Sequence, residues 1–187
     1  SSWHTPFFVI AGAALLLMVI CSKSLPALQN QHPRVSFWQT YRRIISNQQA
    51  VSYLLAYFIF QTGSFTAITF ISTWFTHDYG LTLTAVGTAM IAIGAGNLLG
   101  SLLSSYWAKK LTFPRAFASS FMALILLYIG LTSTKSFIIS EGLVTLIYLF
   151  NGLIFPLLMT NLQQTVVAAR STMSSLANAA MYLGETV

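Results

Sequence analysis

Charge is what this chain lacks most. Of 187 residues only 6% are charged, with three acidic side chains against nine basic ones, whereas a soluble globular chain carries roughly 25%. One cysteine, Cys21, excludes an internal disulfide and a thiolate metal site. There is no Gly-x-Ser-x-Gly elbow and no His-Glu-x-x-His, and His4, His32 and His77 fall in separate stretches. The adjacent His77 and Asp78 have no nucleophile beside them, so the chain is not expected to be an enzyme, and neither cofactor nor metal is expected. There is no Asn-x-Ser/Thr sequon.

What fills the space is apolar. Residues are 56% hydrophobic, mean hydropathy is +0.72, and long apolar stretches run over 6–22, 50–75, 83–108, 113–131 and 138–168, with a further one from 171 onward. A helix must hold about 20 mostly apolar residues to cross ~30 Å of hydrocarbon, and the interior stretches do. Runs such as 13–20 do not alternate as the strands of a membrane barrel would. Lipid offers the backbone no hydrogen bonds, so helices are the remaining solution. The expected fold is an all-α polytopic membrane bundle of five complete transmembrane helices and a truncated sixth.

The basic residues give the bundle a direction. Lys23, Arg34, Arg42 and Arg43 follow the first stretch, Lys109, Lys110 and Arg115 separate the third from the fourth, and Arg170 follows the fifth. The remaining gaps carry only Lys135, near Asp78 and Glu141. The positive-inside rule then puts the basic loops in the cytoplasm, and the chain in a cytoplasmic (inner) membrane. The net charge of +6 belongs to this signal and to anionic headgroups, and a nucleic-acid partner is not expected. The first stretch lacks a basic leader and has Lys23 behind it, the reverse of a signal peptide. With no Met at position 1 and only 17 residues from 171 to the last, the chain reads as a fragment of a longer protein whose N-terminal helices would be its partners.

Three regions follow: a helix over 1–22, a cytoplasmic linker over 23–49 broken by Pro26 and Pro33, and a bundle over 50–187. Within the linker Phe37, Trp38, Tyr41, Ile44 and Ile45 share one helical face opposite Gln39, Arg42, Arg43 and Ser46, which predicts a helix lying in the inner headgroup layer. The alternative is a flexible linker.

Several residues are out of place in lipid. In the second stretch Thr62, Thr66, Thr69 and Thr73 form one stripe and Gln61, Phe65, Ile68 and Ser72 a neighbouring one. Either the stripes face water or protein, or the hydroxyls satisfy their own helix carbonyls and join helices; Gln61 is harder to satisfy in that way. Gly94, Gly96 and Gly100, with Asn97 among them, suit close helix packing. Tyr148, Asn151 and Pro156 share the fifth stretch, where Pro156 leaves the Gly152 carbonyl without its donor and predicts a kink, for a cavity or for packing alone. Glu185 would stand about 21 Å along the last helix. An ionisable group at that depth is a candidate proton or cation site, unless the helix ends early or a partner helix neutralises the charge.

Three segments carry a resemblance. Arg170-Ser171-Thr172-Met173-Ser174-Ser175-Leu176 leading to Asn178 and Tyr182-Leu183-Gly184, the run 151–156 with its Gly152 and Pro156, and Trp3-His4-Thr5-Pro6-Phe7 resemble, in order, the eleventh, tenth and sixth helices of the major facilitator superfamily. The similarity is greatest to bacterial efflux permeases of the drug/proton antiporter and sugar or purine exporter type. One departure concerns the loop motif Gly-x-x-x-Gly-x-x-x-Asp: Gly96 and Gly100 fit, but Ser104 stands where the family has Asp. The resemblance implies helices six to eleven of a twelve-helix secondary transporter, working by alternating access and coupled to protons. A small organic solute would bind near the midplane against Gln61, Phe65, Thr69, Tyr148 and Asn151, with Gly94, Gly96, Gly100 and Pro156 shaping the moving helices. A scaffold or channel subunit, or an importer of the same fold, is the alternative.

Overall fold

The computed structural model describes residues 4–24 and 37–186. The described residues form α1 (Thr5–Ser24), α2 (Phe37–Ile45), α3 (Gln48–Tyr79), α4 (Leu83–Lys110), α5 (Phe113–Thr132), α6 (Phe137–Thr165) and α7 (Arg170–Thr186), with a single 3-10 turn, Val167–Ala169, before the last. They contain no strand. Five helices (α1, α3, α4, α5 and α6) are long and apolar enough to cross a membrane, so this is a multi-pass helical membrane protein.

The chain divides into two compact units, residues 1–35 and 36–187. The first contains α1. The second contains α2 and the bundle, because α2 is tied to α3 and α7. The single apolar face expected of α2 is therefore divided. Ile44 is fully buried in the same core as Val166, Ala169 and Met173, while Trp38 and Ile45 remain 78% and 68% exposed. Most of the linker's middle, 25–36, lies outside the described residues.

Local chemistry sets the helix ends. Asn47 caps α3 by accepting from the Gln49 and Ala50 amides, and its Nδ2 donates to the Thr165 carbonyl at 3.2 Å, joining the start of α3 to the end of α6. Gly80 closes α3 in the left-handed region at φ 63°, where a Cβ would be strained. Thr82 Oγ1 accepts from the Ala85 amide to open α4, and Pro114 occupies the first turn of α5, where a missing N–H costs nothing.

In lipid, burying apolar surface drives no association, so helices are held by fit. α6 is the centre, with α4, α5 and α3 against it and α7 against α3. Its tightest contact is with α4. A Cβ on Gly96 would stand 2.6 Å from the Thr145 carbonyl oxygen, one on Gly100 would meet the Leu149 carbonyl, and one on Gly152 the Asn97 carbonyl. Glycines of both helices thus let the two backbones touch. Ala116, Ser120 and Leu124, four residues apart, are the buried stripe of α5. Large apolar side chains such as Leu98, Leu102, Ile125, Leu126 and Ile129 stay exposed, as apolar side chains of membrane-spanning helices can.

Rings stand at both ends of the bundle. Phe75, Tyr79 and Phe137 contact one another edge to face where α3 meets α6, and Tyr79 shares a 2.6 Å hydrogen bond with Ser140. At the opposite end Tyr53, Phe113, Phe117, Phe121 and Phe60 form a ladder between α3 and α5.

A candidate solute cavity between α3, α4 and α6

A cavity of about 470 Å³ lies among α3, α4 and α6, within the range of small-molecule sites. On α3 it is lined by Phe60, Gln61, Ser64, Phe65 and Ile68, on α4 by Met90, Ile93, Gly94, Asn97 and Ser101, and on α6 by Tyr148, Asn151, Gly152 and Phe155. Spacings of three, four and seven residues put each set on one helical face. Gln61 lies 13 residues into α3, about 20 Å from its start at the helical rise. Asn97 and Asn151 each lie 14 residues into their helices, so all three are near mid-height.

Four of the five solute-binding residues predicted from the sequence meet in this cavity: Gln61, Phe65, Tyr148 and Asn151. Thr69 does not. At about 100° per residue it points some 80° round the helix from Gln61, it is exposed, and its hydroxyl donates to the Phe65 carbonyl at 2.9 Å. The same intrahelical bond satisfies Thr62 and Thr66. The glycines divide as well. Gly96 and Gly100 lie in the α4–α6 contact, whereas a Cβ on Gly94 would meet nothing within 4 Å, so Gly94 is a cavity residue and no packing contact. α6 stays helical through Pro156.

The polar groups are set by their partners. Tyr148 Oη donates to the Ser64 carbonyl at 3.1 Å, linking α6 to α3 across the cavity wall. Asn151 is 6% exposed, and its Nδ2 is buried with no acceptor among the described residues. Gln61 is 7% exposed and its amide makes no hydrogen bond among the described residues. No lining residue is Asp, Glu, Lys, Arg or His. Ser64, Asn97 and Ser101 complete the polar set. For Asn97 and Ser101 the signal was present in the sequence as the period Met90, Ile93, Gly94, Asn97, Ser101, but the glycines of the same helix suggested packing instead.

Glu185 lies outside the cavity. α7 meets α3 where a Cβ on Gly184 would stand 2.5 Å from Thr62 Oγ1, so the next residue, Glu185, is level with Gln61 and Thr62. It is exposed and in no ion pair among the described residues, where the one pair is His77–Asp78 at 2.8 Å. A wider cleft of about 1290 Å³, walled by Arg43, Asn47, Gln49, Tyr53, Phe113 and Thr165, sits at the helix ends and contains none of the predicted solute residues.

Comparison with known proteins gives the family. The sequence model of the Major Facilitator Superfamily matches residues 1–187. A Bacillus subtilis (strain 168) protein named "Uncharacterized MFS-type transporter YceJ" is 39% identical over 188 aligned residues, which take in 100% of this chain and 48% of that protein. The chain thus spans about half the length of the curated relative it matches. No solved structure matches.

Proposed function

Because this chain belongs to the Major Facilitator Superfamily, we propose that it forms one half of a secondary active transporter, and that the cavity between α3, α4 and α6 is this half's face for a small organic solute. The observation that carries the reading is the meeting of Gln61, Tyr148 and Asn151 with three phenylalanines in one cavity at mid-height. Polar groups at that depth are stable only against protein, water or a solute. A second half would close the site and expose it to either side in turn.

The orientation we infer is supported by where the cations stand. Lys109 and Lys110 end α4, Arg42 and Arg43 end α2, and Arg115 and Arg170 begin α5 and α7, which is one end of the bundle. Placing that end in the cytoplasm satisfies the positive-inside rule in a bacterial inner membrane. The solute is drug-like, sugar-like or purine-like, and it moves outward in exchange for protons. Glu185, level with the cavity and exposed, is the group on this half suited to carry the proton.

The test is Gln61→Ala in the intact transporter. Losing one neutral hydrogen bond of ~0.5–1.5 kcal/mol lowers transport about two- to tenfold, while the amount of protein in the membrane stays constant. Transport at the parental rate would remove Gln61, and with it the cavity assignment.

A further inference from the structure

The lining also selects among solutes. We propose that this face of the cavity recognises an uncharged, flat molecule bearing a hydrogen-bond acceptor on its edge, a carbonyl or a ring nitrogen, and that the Asn151 amide supplies the selecting bond. The proposal rests on the solute-cavity reading above.

The absence of any ionisable side chain but the Tyr148 phenol from the lining leaves a charged solute with no counter-ion on this face. An ion brought there would give up its hydration without an opposite charge in return. Phe60, Phe65, Tyr148 and Phe155 line the same space, and rings on several sides favour a flat, apolar-faced guest over a globular one. A hexose would have to set several hydroxyl groups against phenylalanine.

One donor of the lining is already used and one is not. The Tyr148 hydroxyl is spent on the Ser64 carbonyl. Asn151 Nδ2 is enclosed without an acceptor, and an unmet buried N–H is relieved by any ligand that brings one. No hydrogen bond among the described residues fixes this terminal amide, so rotation about χ2 is free to present its N–H to a solute. Gln61 faces the same cavity from α3 with its own amide unpaired. Two carboxamides on adjoining walls, each offering donor and acceptor, match the edge of a cyclic amide, where C=O and N–H are neighbours. A site built to make such bonds discriminates strongly against analogues that lack the matching group.

Four bicyclic probes of similar size separate the features: quinolin-2(1H)-one, neutral with a lactam edge; indole, neutral with a donor and no edge acceptor; 1-methylquinolinium, a cation; and 2-naphthoate, an anion. They are titrated calorimetrically into the purified intact transporter in detergent. Quinolinone is expected to bind at least about tenfold more tightly than the other three. Asn151→Leu is expected to erase its advantage over indole while indole binding stays as it was. The order of the four probes in the unaltered protein stands even where the variant fails to fold. Equal or tighter binding of indole, quinolinium or naphthoate overturns the proposal, and so does binding of none. If one of those ions binds in the unaltered protein and is lost in Gln61→Ala, the cavity remains the solute site and only the class of solute is wrong.

Discussion

The contact between α4 and α6 makes the sharpest stability prediction, because two glycines two residues apart should respond to the same substitution with opposite signs. In Gly96→Ala the new Cβ would stand 2.6 Å from the Thr145 carbonyl oxygen and 3.0 Å from Thr145 Cγ2, where ordinary contact begins near 3.4 Å. The helices must therefore part by about 0.8 Å, and a gap of that size forfeits roughly a quarter to a half of the dispersion energy of each contact it opens. Overpacking of this kind costs about 1–3 kcal/mol, against which alanine's better helix propensity returns up to ~1 kcal/mol. With that offset taken in full, the net expectation is a loss of up to about 2 kcal/mol. Gly94→Ala meets nothing within 4 Å and keeps only the gain, up to ~1 kcal/mol. Thermal unfolding of the intact protein in detergent should show Gly96→Ala melting below the parent and Gly94→Ala at or above it. Thr145→Ser removes Cγ2 and leaves the carbonyl in place, so it should not rescue Gly96→Ala. A Gly96→Ala protein as stable as the parent, or rescued by Thr145→Ser, would refute the backbone-to-backbone contact.

Two further substitutions separate structural roles from solute contact. Asn47→Ala removes both the α3 cap and the bond to the Thr165 carbonyl and should destabilise by about 1–2 kcal/mol; Asn47→Asp keeps the cap, loses the donor, and should melt between the two. Thr69→Val breaks only an intrahelical bond, so transport by the intact protein should be unchanged, and a large loss would put Thr69 back against the solute.

The fold was legible because hydrocarbon imposes so few solutions: apolar runs of sufficient length had to be helices, and α3 to α6 begin and end within a few residues of the expected stretches. Gln61, Phe65, Tyr148 and Asn151 were legible as cavity residues because amides and a phenol at mid-span are expensive unless something polar or aromatic meets them. Thr69 lies outside the cavity, and a threonine stripe looks the same in sequence whether it faces a cavity or its own helix carbonyls. Gly94 lines the cavity, and glycine spacing shows that a close approach exists without showing which glycines make it; Gly94 and Gly96 point to nearly opposite sides of α4. Ile44 of α2 is buried in the core where α2 meets α3 and α7, and no local pattern records those neighbours.

The central claim is that water or solute, and not acyl chain, meets the polar face inside the bundle. Thiol accessibility tests it directly in membrane vesicles holding the intact transporter, with Cys21→Ser as background. Gln61→Cys and Asn97→Cys should react with a charged methanethiosulfonate, because a thiolate forms only where water reaches. Leu126→Cys and Ile129→Cys, on an α5 surface that is more open than Gln61 in the isolated chain, at 62% and 59% exposure against 7%, should stay inert in hydrocarbon. Inert cavity thiols beside reactive α5 thiols would contradict the account.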